Sequence, residues 1–317
     1  MNLTSGSFEL EYEYCRAPFI ETGAVVLTGI KGAGFRLEIP ERIDDRPVTE
    51  IGKKAFLGLS GLREVLLPRS IRALGDYSFA QCVHLSKFTL PCAKDVSFGK
   101  GIFKGCERLS DILIGYEQED DLSKMMAVAV ITLNAAHLLR GSDVGTTLWY
   151  EAFDQSLLHR LSESDYALCQ DQVLCGEEDI SYDGAYSVDG EMPGESAAGL
   201  MSVRKKKCRI ALLRLMHPAG LKDAMRDQIE AYLKTAPVWE CLKEYFPDEL
   251  DYYRLYLELV RPDAAEREKL ICDLGSAHPQ VKAYLISASL GQKRNSMSNN
   301  SGNETEESGD FLDELMI

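Results

Sequence analysis

Ile51-Gly52-Lys53-Lys54-Ala55-Phe56, continued by Leu62, Val65 and Leu67-Pro68, is a pattern that the chain restates. Twenty-three residues on stand Leu74-Gly75, Ser78-Phe79, Leu85, Phe88 and Leu90-Pro91. A further 24 residues on stand Phe98-Gly99, Ile102-Phe103, Leu109, Ile112 and Ile114, the extra residue falling between Pro91 and Phe98. Cys82 and Cys106 share one column, in which the first copy has Leu59. Five coincident columns in three copies mark a repeat architecture.

The spacing predicts a short solenoid. Val65 and Leu67, with their equivalents, alternate along strands and point into a core that only a stacked neighbour can close. The glycine after each Ile, Leu or Phe suits a tight turn, and the small-Phe pair suits a short helical turn beneath the strands. Outward on the strands lie Glu64, Lys87 and Asp111 in one row, then Leu66, Thr89 and Leu113 in the next. The first row alternates in sign, so neighbouring strands spend much of its charge on each other. This strand face is the candidate protein-binding surface. Three strands make it only about 10–15 Å wide, while a standard interface buries about 800 Å² per partner. The adjoining helices are therefore expected to share the contact.

The repeats resemble the BspA-type leucine-rich repeat, whose consensus reads roughly Ile-Pro…Val-Thr-x-Ile-Gly-x-x-Ala-Phe-x-x-Cys-x-x-Leu. Ile39-Pro40, Val48-Thr49-Glu50-Ile51-Gly52 and Ala55-Phe56 are similar to the family's opening repeat, and Val25 to Phe35 to its lead-in strands and turn. The resemblance covers about residues 20–116. It implies a fold and a binding role, with no catalytic residues to carry over.

From Asp121 the period changes to a helical one. Helices are expected over 122–140, 146–161 and 163–175, with Ser162-x-x-Asp165 as a cap-like pair and Gly176 ending the third. Residues 161–203 hold ten acidic and no basic side chains; about 176–202 read as an irregular acidic loop. Helix resumes near Val203, and Pro218, Pro237, Pro247, Pro262 and Pro279 each precede or open an amphipathic segment. Leu270 to Leu290, with Lys282-Ala283-Tyr284-Leu285, resembles a helical hairpin that closes cytoplasmic bacterial repeat proteins. Cys175 to Asp179, Arg209 to Pro218 and Tyr252-Tyr253 resemble parts of a helical region that follows such repeats. The expected fold is α+β, a short leucine-rich-repeat solenoid followed by an all-helical, helical-hairpin domain. Its divisions are an N-terminal strand and cap region (1–34), the repeats (35–116), a helical domain (117–292) and a disordered acidic tail (293–317).

The chain of 317 residues has 45% hydrophobic and 27% charged residues and a net charge of −15. That balance argues against nucleic acid and anionic membranes as partners. Nine cysteines, an odd number with no Cys-x-x-Cys pair, argue for a reducing compartment. No secretory signal is apparent in residues 1–20, and the apolar stretch 125–133 is too short to span a membrane. A cytoplasmic location is expected.

Patterns that carry chemistry are weak. Asp179-x-Ser181-x-Asp183-Gly184 copies the first half of a calcium loop, but Gly190 stands where a bidentate Glu is needed. A solvated acidic loop is the better reading. Cys82 and His84 lie close together, yet the repeat column accounts for Cys82 as core rather than as a zinc ligand. Cys169 and Cys175 are read as packing residues. Gly29, Gly32 and Gly34 lack phosphate-cradle spacing and read as a hairpin turn. The basic run Arg204, Lys205, Lys206, Lys207 and Arg209 has no aromatic interleaving, so neutralisation within the chain is expected. No catalytic, cofactor or metal residues are assigned. The resulting expectation is a non-catalytic interaction adaptor or scaffold with a protein partner. The alternatives are an exported cell-surface adhesin and an enzyme with its site in the helical half.

Overall fold

The computed structural model describes residues 2–5, 7–15, 23–91, 96–115, 120–133, 135–139, 144–173, 197–275 and 277–288. The chain divides into two compact units, Met1–Tyr232 and Leu233–Ile317. The first opens with antiparallel strands β1 (Asn2–Ser5), β2 (Phe8–Cys15) and β3 (Ala24–Gly32). β4 (Arg36–Glu38) follows, then the small hairpin of β5 (Arg42–Ile43) and β6 (Arg46–Ile51). The solenoid continues through β7 (Glu64–Leu66), β8 (Ala73–Leu74), β9 (Lys87–Leu90), β10 (Ser97–Phe98) and β11 (Asp111–Ile114).

Two sheets result. One is four-stranded and parallel, in the order β11-β9-β7-β4. The other runs β1-β2-β3-β6-β8-β10, with β5 beside β6, so the N-terminal hairpin extends the second solenoid sheet. Inside the coil Val65, Leu67, Phe88, Leu90 and Ile112 are buried, as are Phe56, Phe79 and Phe103 from the turns. Phe79 holds this stack together, its ring centroid 5.2 Å from both Phe56 and Phe88 and 6.1 Å from Phe103. Edge-to-face rings at such distances add to the apolar burial.

The turns are tight i→i+3 turns, and a backbone ladder joins each to the next. Lys54, Phe56 and Gly58 N–H groups donate to the Asp76, Ser78 and Ala80 carbonyls, and Tyr77, Phe79 and Gln81 to Lys100, Ile102 and Lys104. The glycine column serves this stacking. A Cβ on Gly75 would lie 2.6 Å from the Lys53 nitrogen, and one on Gly99 2.6 Å from the Asp76 nitrogen. Left-handed backbone falls elsewhere, at Lys54, Tyr77 and Gly101 and again at Gly58, Gln81 and Gly105. The repeat glycines thus answer a close approach of two backbones, not a turn of unusual φ. Gly32 and Gly34 likewise pack on Ser7 and Phe8, and Gly29 lies across from Glu11 beside a bulge in the β2–β3 pairing; they do not form a hairpin turn.

α1 (Asp120–Val128) packs against β11, with Met125 and Met126 buried. It does not continue to residue 140. A π-helical turn at Ala129–Leu133 and a 3₁₀ turn at Ala136–Leu139 take over, where the β-branched run Val130-Ile131-Thr132 disfavours regular helix. α2 (Thr147–Ser162) and α3 (Asp165–Val173) follow. The Ser162–Asp165 cap does not form: Ser162 donates to the His159 carbonyl, and the Asp165 carboxylate accepts from Arg204 and Lys207. α4 (Ala197–Met216) begins six residues before Val203, because the helix formers Ala197, Ala198, Leu200 and Met201 outweigh Gly199. It is buried over most of its circumference, as befits a central helix. Its Arg214 is fully buried and grips Asp154 of α2 through two hydrogen bonds of 2.5 and 3.0 Å. Gly176, the acidic loop to residue 196, the calcium-like pattern, Cys175 and the 293–317 tail lie outside the described residues.

α5 (Asp223–Leu233) leads to the second unit. There α6 (Val238–Tyr245), α7 (Leu250–Val260), α8 (Ala264–Asp273) and a helix over 279–288 alternate with short turns. Pro237 caps α6, and Asp263 with Glu266 forms a capping box on α8. Tyr252 and Tyr253 are both buried; Tyr252 stacks on Phe246 at 3.9 Å, and Trp239 sits edge-on to Tyr253 at 5.8 Å.

Candidate functional site

The outer face of the β11-β9-β7-β4 sheet collects the strand positions singled out above. Register places Glu64 beside Lys87 and Lys87 beside Asp111, and Leu66 beside Thr89 and Thr89 beside Leu113. Lys87 is exposed, and Glu64, Leu66, Thr89, Asp111 and Leu113 are half-buried. The neighbouring Val65, Phe88 and Ile112 face inward and are buried, as period-2 alternation demands.

The face is one strand wider than the repeat period indicates. β4 aligns Arg36 with Glu64 and Glu38 with Leu66. One row becomes Arg36, Glu64, Lys87, Asp111, alternating in sign across four strands, and the other Glu38, Leu66, Thr89, Leu113. Pro40 stands 28 residues before Pro68, against 23 from Pro68 to Pro91, so a fixed-period reading passes over this strand. The β5–β6 hairpin accommodates the insertion, with Asp44 and Asp45 both left-handed at its tip. The signal was present in Leu37-Glu38-Ile39-Pro40, which repeats the spacing of Val65-Leu66-Leu67-Pro68.

At the β11 end the face meets α1. The Asp111 carboxylate accepts from the Ser110 hydroxyl at 2.6 Å and from Ser123 of α1 at 3.4 Å. The cysteine column lies inside: Cys82 Sγ donates to the Phe56 carbonyl at 3.2 Å and Cys106 Sγ to that of Phe79 at 3.1 Å. The contact with Cys82, together with burial, holds the Cys106 thiol well above its usual range and keeps it protonated. His84 turns away from Cys82, its Nδ1 lying 2.5 Å from the Ser60 carbonyl. Among the described residues no three His, Cys, Asp or Glu side chains gather as a metal set, and no helix is long and apolar enough to cross a membrane. The basic run is paired within the chain: Arg204 and Lys207 with Asp165, and Lys206 with Glu107, each at 2.8 Å.

Residues 38–126 match the family model described as BspA type leucine rich repeat region, in six copies. The N-terminal block is made of BspA-type leucine-rich repeats. A leucine-rich repeat protein of T. pallidum is 29% identical over 33% of this chain and 50% of that one, with a TM-score of 0.29. A leucine-rich repeat protein from Bacteroides ovatus is 26% identical over 33% of this chain and 28% of that one, TM-score 0.29. A leucine rich cell surface protein from Faecalibacterium prausnitzii is 23% identical over 36% and 31%, TM-score 0.29. This chain therefore spans half the length of the first and about a third of the other two. Comparison with curated proteins finds no match. BspA-type repeats suggest protein interaction or surface-protein roles, so the strand face and not a catalytic centre is the place to look for function.

Proposed function

We propose that the protein is a non-catalytic, cytoplasmic adaptor or scaffold that binds a protein partner through the BspA-repeat strand face. The observation that carries this reading is the register of the four parallel strands, which builds two straight rows on one face. One row is charged with alternating sign; the other carries Leu66 and Leu113 among polar neighbours. Half-buried apolar side chains in a row bounded by charge suit a contact surface. Four strands spaced about 4.8 Å apart, each three or four residues long, give a face of roughly 200 Å². A stable interface needs about 800 Å² per partner, so the contact extends onto the adjoining α1. Core cysteines that act as buried thiols suit a reducing compartment.

The test is capture of partners from the native host by the full-length protein and by Leu66→Asp with Leu113→Asp. Loss of a specific partner at nearly unchanged thermal stability supports the face as the interface. Unfolding of the double variant assigns the row to the core beneath α1, and unimpaired capture by a folded variant moves the interface elsewhere; either result overturns the reading.

A further inference from the structure

A cleft of about 220 Å³ opens where the last repeat turn meets the helices of the same unit. Lys100 and Lys104 enter from the turn, Arg160 from α2, and Lys206 and Lys207 from α4; Glu107 is the one carboxylate in the lining. Glu107 pairs with Lys206 at 2.8 Å, Asp165 with Lys207 at 2.8 Å, and Glu163 with Arg160 at 3.2 Å. Over these groups cations outnumber carboxylates by five to three, in a protein whose net charge is −15. The opposite wall is apolar, with Val130, Ile131, Leu168 and Val203, and Tyr77 and Thr132 add neutral hydroxyls.

Position in the repeat shows that this charge is local to the last turn. Lys104 stands in a column where the earlier copies have Leu57 and Ala80, and Lys100 in one where the second copy has Asp76. Only at the last turn do helices close over the repeat, and there the lysines meet Arg160, Lys206 and Lys207. The glycines fit the same geometry: a Cβ on Gly101 would come within 2.5 Å of the Tyr77 ring that lines the cleft.

We infer that this cleft binds a compact phosphate dianion, either free phosphate or the phosphate of a small monoester whose organic part rests on the apolar wall. An excess of two cations matches the charge of about −1.5 to −2 on a phosphate monoester. Lysine ammonium groups serve phosphate as point charges and need no planar geometry. The volume lies below the roughly 300–1,000 Å³ of pockets for drug-sized ligands, so a compact ligand fits and an extended peptide does not.

The experiment titrates the full-length protein with inorganic phosphate and with glycerol 3-phosphate at constant ionic strength, followed by ³¹P NMR line broadening. Lys100→Gln with Lys104→Gln should weaken binding at least about tenfold. Lys53→Gln with Lys54→Gln, on the first turn, should leave it unchanged, and thermal denaturation checks that both variants fold. Tighter binding of the ester than of free phosphate supports the cleft as a monoester site, and equal binding supports it as a free-phosphate site. No broadening at millimolar probe overturns the inference, as does equal loss in both variants, which marks unspecific charge. Hexaglutamate that binds more tightly than either phosphate, and is lost in the same cleft variant, also overturns it by assigning the cleft to acidic peptides.

Discussion

Phe79 concentrates the energetics of the repeats in one side chain. It is fully buried and touches rings contributed by the turn before, the turn after and a strand. Truncation leaves a cavity that stacked turns, tied by their backbone ladder, cannot collapse into. Phe79→Ala should cost about 3–5 kcal/mol, read as a lower denaturant midpoint at unchanged slope. An unshifted midpoint would contradict its place in the column. The repeat glycines make the opposite demand, for empty space, because a neighbouring backbone occupies the volume a Cβ would take. Both requirements are visible as columns, yet the reason for the second appears only when two turns are stacked.

At the scale of elements, α3 and α4 are joined through one carboxylate. Asp165 is partly desolvated, which raises its pKa, but hydrogen bonds from Lys207 and Arg204 outweigh that and hold it below the ordinary carboxylate range. Lys207 also donates to the Glu163 carbonyl at 2.7 Å. Because the folded-state value is depressed, the stabilisation is complete above the unfolded value of about 3.9. It is lost as pH falls through the folded value. The melting temperature should therefore decline between about pH 5 and about pH 3, and Asp165→Asn should flatten that limb. The same acid slope in the Asn variant would show that the tether adds nothing to stability. A sequence reading expects the basic run to be neutralised by the acidic loop. In the fold Asp165 and Glu107 do this, since helical geometry brings α3 and the last repeat turn to α4.

For the molecule as a whole, redox state tests location. Cys82, Cys106, Cys169, Cys208 and Cys241 are buried free thiols, packed as small hydrophobes. Thiol titration of freshly purified protein under denaturing, non-reducing conditions should approach nine per chain. A titre several thiols short, recovered on reduction, would favour the exported-adhesin alternative over the cytoplasm. The two compact units meet in sequence at Tyr232 and Leu233, within the helical half, because α1 to α4 bury themselves with the repeats. Neither period nor composition marks that division, since both sides of it are helical.

The amino-acid sequence by itself determined the solenoid, because a strand with alternating apolar residues recurring every 23 or 24 positions can bury its core only against its own copies. It likewise determined the inward and outward sides of each strand and the cysteine column. Tertiary structure alone decided the fourth strand, β4, whose spacing is broken by the β5–β6 hairpin and whose partnership with β7 is a matter of register across the insertion. It also decided the basic cleft. Lys100 and Lys104 lie about a hundred positions from Lys206 and Lys207 in the chain. No local pattern predicts that a helix packed on the last turn will gather them around one space, because packing acts on three-dimensional neighbours and leaves no period in the sequence.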